Sequence, residues 1–212
     1  MFAVIFEVKP KPERWDDYLR YATMLKPELE RIDGFIDNER FESQRREGWL
    51  LSLSTWRDEK SLIRWRTQAL HHEVQEKGRF EIFQDYRLRV GEVIADNQLP
   101  PGQILRAQRL DETECDAAKL VTLTEQVSDS LAPDVAALGS PPGLVEWEVF
   151  ESIYQRGKLV LLASWREASA VPERESPDSD ARHRRIRVIR SYGMFERTEA
   201  PQYYPPLPRR QA

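Results

Sequence analysis

Two stretches decide the fold once one is laid over the other: "GFIDNERFESQRREGWLLSLSTWRDE" (34–59) and "GLVEWEVFESIYQRGKLVLLASWREA" (143–168). Ten of the 26 aligned positions are identical: Gly34/Gly143, Glu39/Glu148, Phe41/Phe150, Glu42/Glu151, Ser43/Ser152, Gly48/Gly157, Leu50/Leu159, Leu53/Leu162, Trp56/Trp165 and Arg57/Arg166. Chance alone would match about one or two, so the chain reads as a duplicated domain. In each copy β-branched and aromatic residues flank a polar stretch that closes on glycine, "SQRREG" or "SIYQRG". That pattern predicts two strands joined by a tight turn, a hairpin.

Working outward, "FAVIFEV" (2–8) reads as a strand, and residues 13–31 as a helix with Trp15, Tyr18, Leu19, Ala22, Leu25 and Leu29 at helical spacing. Pro27 falls inside that pattern and is expected to kink or shorten it. After the hairpin, Asp58 and Glu59 place acid where a second helix begins, against its unsatisfied amides. "FEIFQDYRLRVGEVI" (80–94) then reads as a long strand. The order is β-α-β-β-α-β, the ferredoxin-like split motif.

The second copy reads as the same plan with a part missing: "GQILRAQRL" (102–110) as a strand, "ETECDAAKLVTLTEQVSDSL" (112–131) as a helix, then the hairpin. "REASAVPERESPDSDAR" (166–182) reads as a loop where the second helix should stand, and "RHRRIRVIRSYGMFE" (182–196) as the last strand. The expected units are therefore 1–96, a degenerate repeat at 102–199, and a Pro-rich tail at 200–212, unbound or lying across the body through Tyr203 and Tyr204. Each four-stranded sheet has helices on one face and needs cover on the other. Two such sheets packed bare face to bare face give an α+β barrel, an intramolecular dimer, with room for a cavity between the sheets.

Composition sets limits on function. Among 212 residues, 32 Lys and Arg against 36 Asp and Glu give a formal charge of -4, which argues against nucleic acid as a partner. The run "RHRRIRVIR" (182–190) reads as a strand with one wet face. The single Cys115 excludes an intrachain disulfide, and three scattered histidines provide no zinc-like cluster. With no apolar run of membrane-spanning length and no secretory pattern at "MFAVIFEVKPKPE", the expected location is the cytoplasm, away from any membrane.

The stretch "RFESQRREGWLLSLSTWRDEKSLIRWRTQALHHEVQEKGRFEIFQDYRLRV" resembles the antibiotic biosynthesis monooxygenase family of the dimeric α+β barrel superfamily. The resemblance rests on Gly48, on Ser54 to Glu59 as "SxWRDE", on Trp65, and on His71, Gln75, Gly78 and Arg79 as "HxxxQxxGR", and it covers residues 1–96. It implies a small pocket between sheet and second helix, used for oxygenation without metal or flavin on aromatic or quinol-like compounds. Trp65 matches the family's pocket Trp and His71 the residue six further on. In haem-degrading relatives a His is the iron ligand, a cofactor-binding role that would fall to His71. Those relatives carry an Asn on their first strand, which "FAVIFEV" lacks, and "KSLI" (60–63) stands where some cofactor-free members have an Asn.

Read from the residues alone, Trp65 shares a helical face with Leu62 and Ala69, which makes core packing its default. His71 and His72 cannot both face one pocket. On an unbroken helix the spacing from Trp65 selects His72, whereas the resemblance selects His71, and the two agree only if the helix bends or restarts near residues 69–70. A neutral imidazole there would take the proton of a phenol or hydroquinone, with Arg79 as oxyanion donor; equally, Arg79 caps or salt-bridges the helix end. Trp56, Trp165 and the shared glutamates 39, 42, 148 and 151 recur in a copy without the pocket helix, so they read as structural. The expected function is a cofactor-independent monooxygenase acting on a small aromatic or quinol-like ligand. The alternatives are a haem-binding or haem-degrading monooxygenase, and a non-catalytic ligand-binding or assembly protein; homo-oligomers of such chains are compatible with each.

Overall fold

A computed structural model of the chain describes residues 1–127, 139, 141–172 and 180–208. In chain order the elements are β1 (Phe2–Pro10), α1 (Trp15–Glu30), β2 (Phe35–Ser43), β3 (Leu50–Trp56), α2 (Glu59–Arg66), α3 (Ala69–Lys77), β4 (Phe83–Asp96), β5 (Leu120–Val127), β6 (Leu144–Ser152), β7 (Lys158–Trp165) and β8 (Arg182–Gly193). All the strand pairs are antiparallel, and the eight strands close in the order β1-β3-β2-β6-β7-β5-β8-β4. One chain therefore completes one barrel.

Strand alternation decides what fills it. Ala3, Ile5, Phe41, Leu51, Leu53, Val121, Leu123, Phe150, Val160, Leu162, Ile186 and Val188 point inward and pack together, each at most 3% exposed. The middle of the lumen is thus a packed core, and the space expected between the sheets is confined to one end of the barrel, a polar cavity of about 220 Å³ bordered by Glu7, Arg46, Glu146, Glu148 and Leu162. Small barrels reach this state whenever the inward side chains are large enough to meet.

The shared residues of the two hairpins do the same work twice. Gly34 and Gly143 have φ of +88° and +86°, a region that L-side chains rarely adopt, and each carbonyl accepts a 2.8 Å bond from the arginine after the shared Trp, Arg57 or Arg166. A Cβ on Gly34 would stand 2.0 Å from the Ser61 hydroxyl, and one on Gly143 would stand 2.4 Å from Ala170 Cβ. Ser43 and Ser152 each accept two turn amides, those of Arg45 and Arg46 and those of Tyr154 and Gln155. Trp56 and Trp165 are fully buried, and Glu42 and Glu151 face each other across the β2–β6 seam.

Elsewhere the second half departs from expectation. Residues 102–110 form no strand, and within 112–131 the described residues, up to 127, form no helix; 120–127 is β5, with 128–131 outside the described residues. The sequence "LVTLTEQV" satisfies both periods: Val121 and Leu123 face the lumen, while Leu120 joins the outer cluster around Trp165. The barrel needs a strand bonded to both β7 and β8, and that requirement overrides the helical reading. Residues 103–119 instead run as irregular chain, tied down by Glu92 accepting from the Gln108 amide and by the Arg109–Glu59 ion pair. Of the loop read over 166–182, residues 173–179 lie outside the described residues.

In the first half, α1 runs through Pro27 to Glu30, because a proline so near the C-terminal end forfeits a single helical bond. The helix after β3 is in two pieces. Asp58 caps α2 by accepting from the Ser61 amide at 2.8 Å, the helix ends at Thr67, and Gln68 starts α3 by accepting from the His71 amide at 2.7 Å. No helix among the described residues is long and apolar enough to cross a membrane.

Candidate functional site

The outer face of β2-β3-β1-β4-β8 is covered by α1, α2 and α3, and between sheet and helices lies a cavity of about 210 Å³. Its floor is Val4 and Phe6 of β1 with Tyr86, Leu88 and Val90 of β4; its roof is Tyr18, Leu25 and Leu29 of α1 with Leu62 and Trp65 of α2 and His71 and Val74 of α3. The even residues of β1 face this cavity because the odd ones fill the lumen.

The break at 67–68 decides which histidine enters. The rings of His71 and Trp65 stack with centroids 4.0 Å apart and planes 15° from parallel. His72 is exposed and does not line the cavity; it meets the C-terminal segment instead, through the Tyr204 ring. Helix restart is what reconciles the six-residue spacing with a shared wall, since on one continuous helix His71 would be turned away.

His71 Nδ1 lies 2.9 Å from the Trp65 carbonyl oxygen, so Nδ1 carries the proton and Nε2 is left with its lone pair. The Gln75 amide nitrogen sits over the ring, 3.1 Å from Nδ1 and 3.4 Å from Nε2. Burial drives the His71 pKa down to about 4, outweighing the bond to the Trp65 carbonyl. The imidazole is neutral at physiological pH.

Arg79 does not line the cavity. It is 2% exposed, beneath the C-terminal segment, where Nη1 donates to the Met194 carbonyl at 2.7 Å and Nη2 to the Pro205 carbonyl at 3.3 Å. Gly78 before it lines the cavity, and its missing side chain leaves room for the Phe83 ring, which a Cβ would meet at 2.5 Å.

The sequence reading missed the polar part of the lining. Lys26, Arg40, Arg66, Arg190 and Arg197 all border the cavity, and among the described residues no Asp or Glu does. Lys26 and Arg190 have carboxylates at 3.9 and 3.7 Å, whereas Arg40, Arg66 and Arg197 pair with none among the described residues. The buried Nε of Arg40 and of Arg66 has no hydrogen-bond partner among the described residues. Burial raises Tyr18 and pushes Tyr192 up to about 12, so both phenols stay protonated and supply no countercharge. Asn38, which holds Ser52 and the Leu53 carbonyl at 3.1 Å, also lines the cavity. These residues come from β2, α1, α2, β8 and the tail, scattered over 170 positions with no common spacing; only the three-dimensional fold gathers them.

A family model for antibiotic biosynthesis monooxygenase matches residues 1–77. A protein of Pyricularia oryzae, described as "Jasmonate monooxygenase ABM", is 46% identical over 219 residues, spanning 97% of this chain and 99% of its own length. Among solved structures, an aldoxime dehydratase in complex with butyraldoxime superposes at a TM-score of 0.53 over 89% of this chain and 79% of its own, with 10% identity, a likeness of fold alone. An anthrone oxidase-like protein aligns over 95% of this chain and 96% of its own with 15% identity and a TM-score of 0.40.

Proposed function

The chain belongs to the antibiotic biosynthesis monooxygenase family, and on that premise we propose that it is a monooxygenase whose substrate is a small amphiphilic anion, a carboxylate of the jasmonate kind, bound in the cavity under α1, α2 and α3. The observation that carries this reading is the lining: an apolar floor and roof, with five basic side chains and no acidic one. Of these, the half-buried Arg40, Arg66 and Arg197 pair with no carboxylate among the described residues, and an anionic ligand offsets the cost of withdrawing their charge from water. The relative named as a jasmonate monooxygenase acts, by its name, on such an anion. An apolar body with one carboxylate meets both halves of the lining.

His71 serves as a neutral wall and hydrogen-bond acceptor in this reading. With a pKa of about 4 it is a poor base for a phenol of pKa ~10, an equilibrium about six powers of ten uphill. In monooxygenation one atom of O2 enters the substrate and the other leaves as water. A CH2 oxidised to C=O supplies both electrons itself, whereas hydroxylation draws two electrons from an added reductant. A quinol-like substrate is the second reading, favoured by the flat Trp65–His71 stack; its oxyanion would meet the same arginines.

Haem does not suit this site. The cavity is about 210 Å³, below the ~300 Å³ at which drug-sized ligands begin to be enclosed. The Nδ1 bond to the Trp65 carbonyl is one that metal-bound histidines also make, so it is the volume of the cavity, and not the histidine, that argues against the macrocycle. Haemin titration is expected to give no Soret shift that His71→Ala removes. The substrate reading is tested by calorimetric titration with jasmonic acid and with its methyl ester. The acid should bind at least tenfold more tightly, and Arg66→Gln should remove most of that preference, since hydrogen bonds to a charged group contribute about 1.5–3 kcal/mol. Equal binding of acid and ester in the wild type sinks it.

A further inference from the structure

After β8 the chain does not leave the body. Residues 194–208 turn back over the first half of the barrel, and Pro201, Gln202 and Tyr204 line the cavity. Two buried or half-buried arginines hold this segment by its carbonyls: Arg79 grips Met194 and Pro205, and Arg197 donates to the Gln202 carbonyl at 2.9 Å and to the Tyr86 hydroxyl at 2.9 Å. From the segment, Gln202 Nε2 donates to Gln75 Oε1 at 2.9 Å. Gln75 is the residue whose amide nitrogen stands over the His71 ring. The Tyr204 ring lies between His72 and Phe80, with centroids 6.3 and 6.1 Å away.

Apart from Leu207, which packs on the cluster around Val8 and Ile82, the attachment is polar and local. Tyr203 is 87% exposed, and the prolines of "PQYYPPLP" (201–208) have no N–H to give. The Tyr204 hydroxyl is buried without a partner among the described residues, and such a group gains hydrogen bonds when the segment lifts into water. A wall made this way closes the cavity while remaining easy to open, in contrast to α1, whose Tyr18, Ala22, Leu25 and Leu29 are all buried against the body.

We infer that the segment 201–205 is the movable wall of the active site: Gln202 and Tyr204 set the size and orientation of what the cavity accepts, and Arg79 is the positioning residue that docks the segment. This inference rests on the monooxygenase reading for its purpose but not for its geometry. Ligand enters where Tyr204 withdraws, and closure restores the Gln202–Gln75 contact beside His71.

The test uses 1-anilinonaphthalene-8-sulfonate, a fluorescent apolar anion, as probe of access. Three chains are compared by stopped flow: wild type, a chain ending at Ala200, and Tyr204→Ala in the full-length protein. Both altered chains should bind the probe at least tenfold faster than wild type, with jasmonic acid in excess competing in all three. Thermal melts establish that each is folded; if the shortened chain is not, the Tyr204→Ala rate decides. Equal association rates in wild type and in the folded variants overturn the inference. Faster probe entry without competition by jasmonic acid leaves the movable wall standing and counts against the substrate reading.

Discussion

At the scale of residues, the chemistry turns on His71. Its desolvated ring has a folded pKa of about 4 against ~6.5 in an unfolded chain. The unfolded state therefore takes up a proton that the folded state refuses as the pH falls below 6.5. Stability from this group is complete above that pH, declines between 6.5 and 4, and changes no further below; the loss is at most about 3 kcal/mol. His71→Gln should accordingly flatten the acid limb of the stability profile, measured by urea unfolding at pH 7 and pH 5. In the wild type, the His71 Cε1 proton followed by NMR should titrate near 4, and a midpoint near 6.5 contradicts the buried, stacked ring. Trp65 and His71 could be singled out in the sequence by their motif, but their stacking could not, because it depends on where the backbone breaks. Arg66 carried no signal at all: one arginine beside a tryptophan on a charged helix looks like any solvated one.

At the scale of elements, caps and glycines explain what was readable. Asp58 before "EKSLIRWR" announces a helix start, and it does accept the Ser61 amide. Asp58→Ala should cost about 1 kcal/mol, seen as a lower melting temperature, and should loosen the α2 end of the cavity. The cap bond also holds the Asp58 pKa below its usual value, so its contribution is present above about pH 4 and fades as the carboxylate protonates. Gly34→Ala forces both a left-handed φ and a contact with Ser61, and is expected to destabilise by at least 1–2 kcal/mol; unchanged melting would mean that this turn is not as described. The break at Thr67–Gln68 left no sequence mark, since no Gly or Pro stands there. β5 was misread for a related reason: "LVTLTEQV" supports either period, and only pairing with β7 and β8 chooses. Arg79→Met keeps the volume of the side chain and removes its grip on Met194 and Pro205, so hydrogen exchange at the amides of Gln202, Tyr204 and Leu207 should rise while the strand amides stay protected.

At the scale of the whole molecule, symmetric pairing and asymmetric equipment stand together. β1 lies between β3 and β4 as β5 lies between β7 and β8, and the halves meet along β2–β6 and β4–β8. We propose that an ancestral duplication accounts for this pattern and for the ten shared hairpin residues. The barrel was legible because both hairpins repeat the same glycines and tryptophans; the packed middle of the lumen was not, because side-chain volumes add up only in three dimensions. The described α-helices all belong to the first half, whereas the cavity beneath them is completed by Arg190 and Tyr192 of β8 and by the C-terminal segment. The most direct measurement is mass spectrometry of jasmonic acid incubated with the protein under 18O2, with and without a two-electron reductant. A product carrying one 18O atom is expected from the wild type, with its yield strongly reduced in Arg66→Gln. A jasmonate returned without label, while a hydroquinone gains it, would contradict the amphiphilic-anion claim.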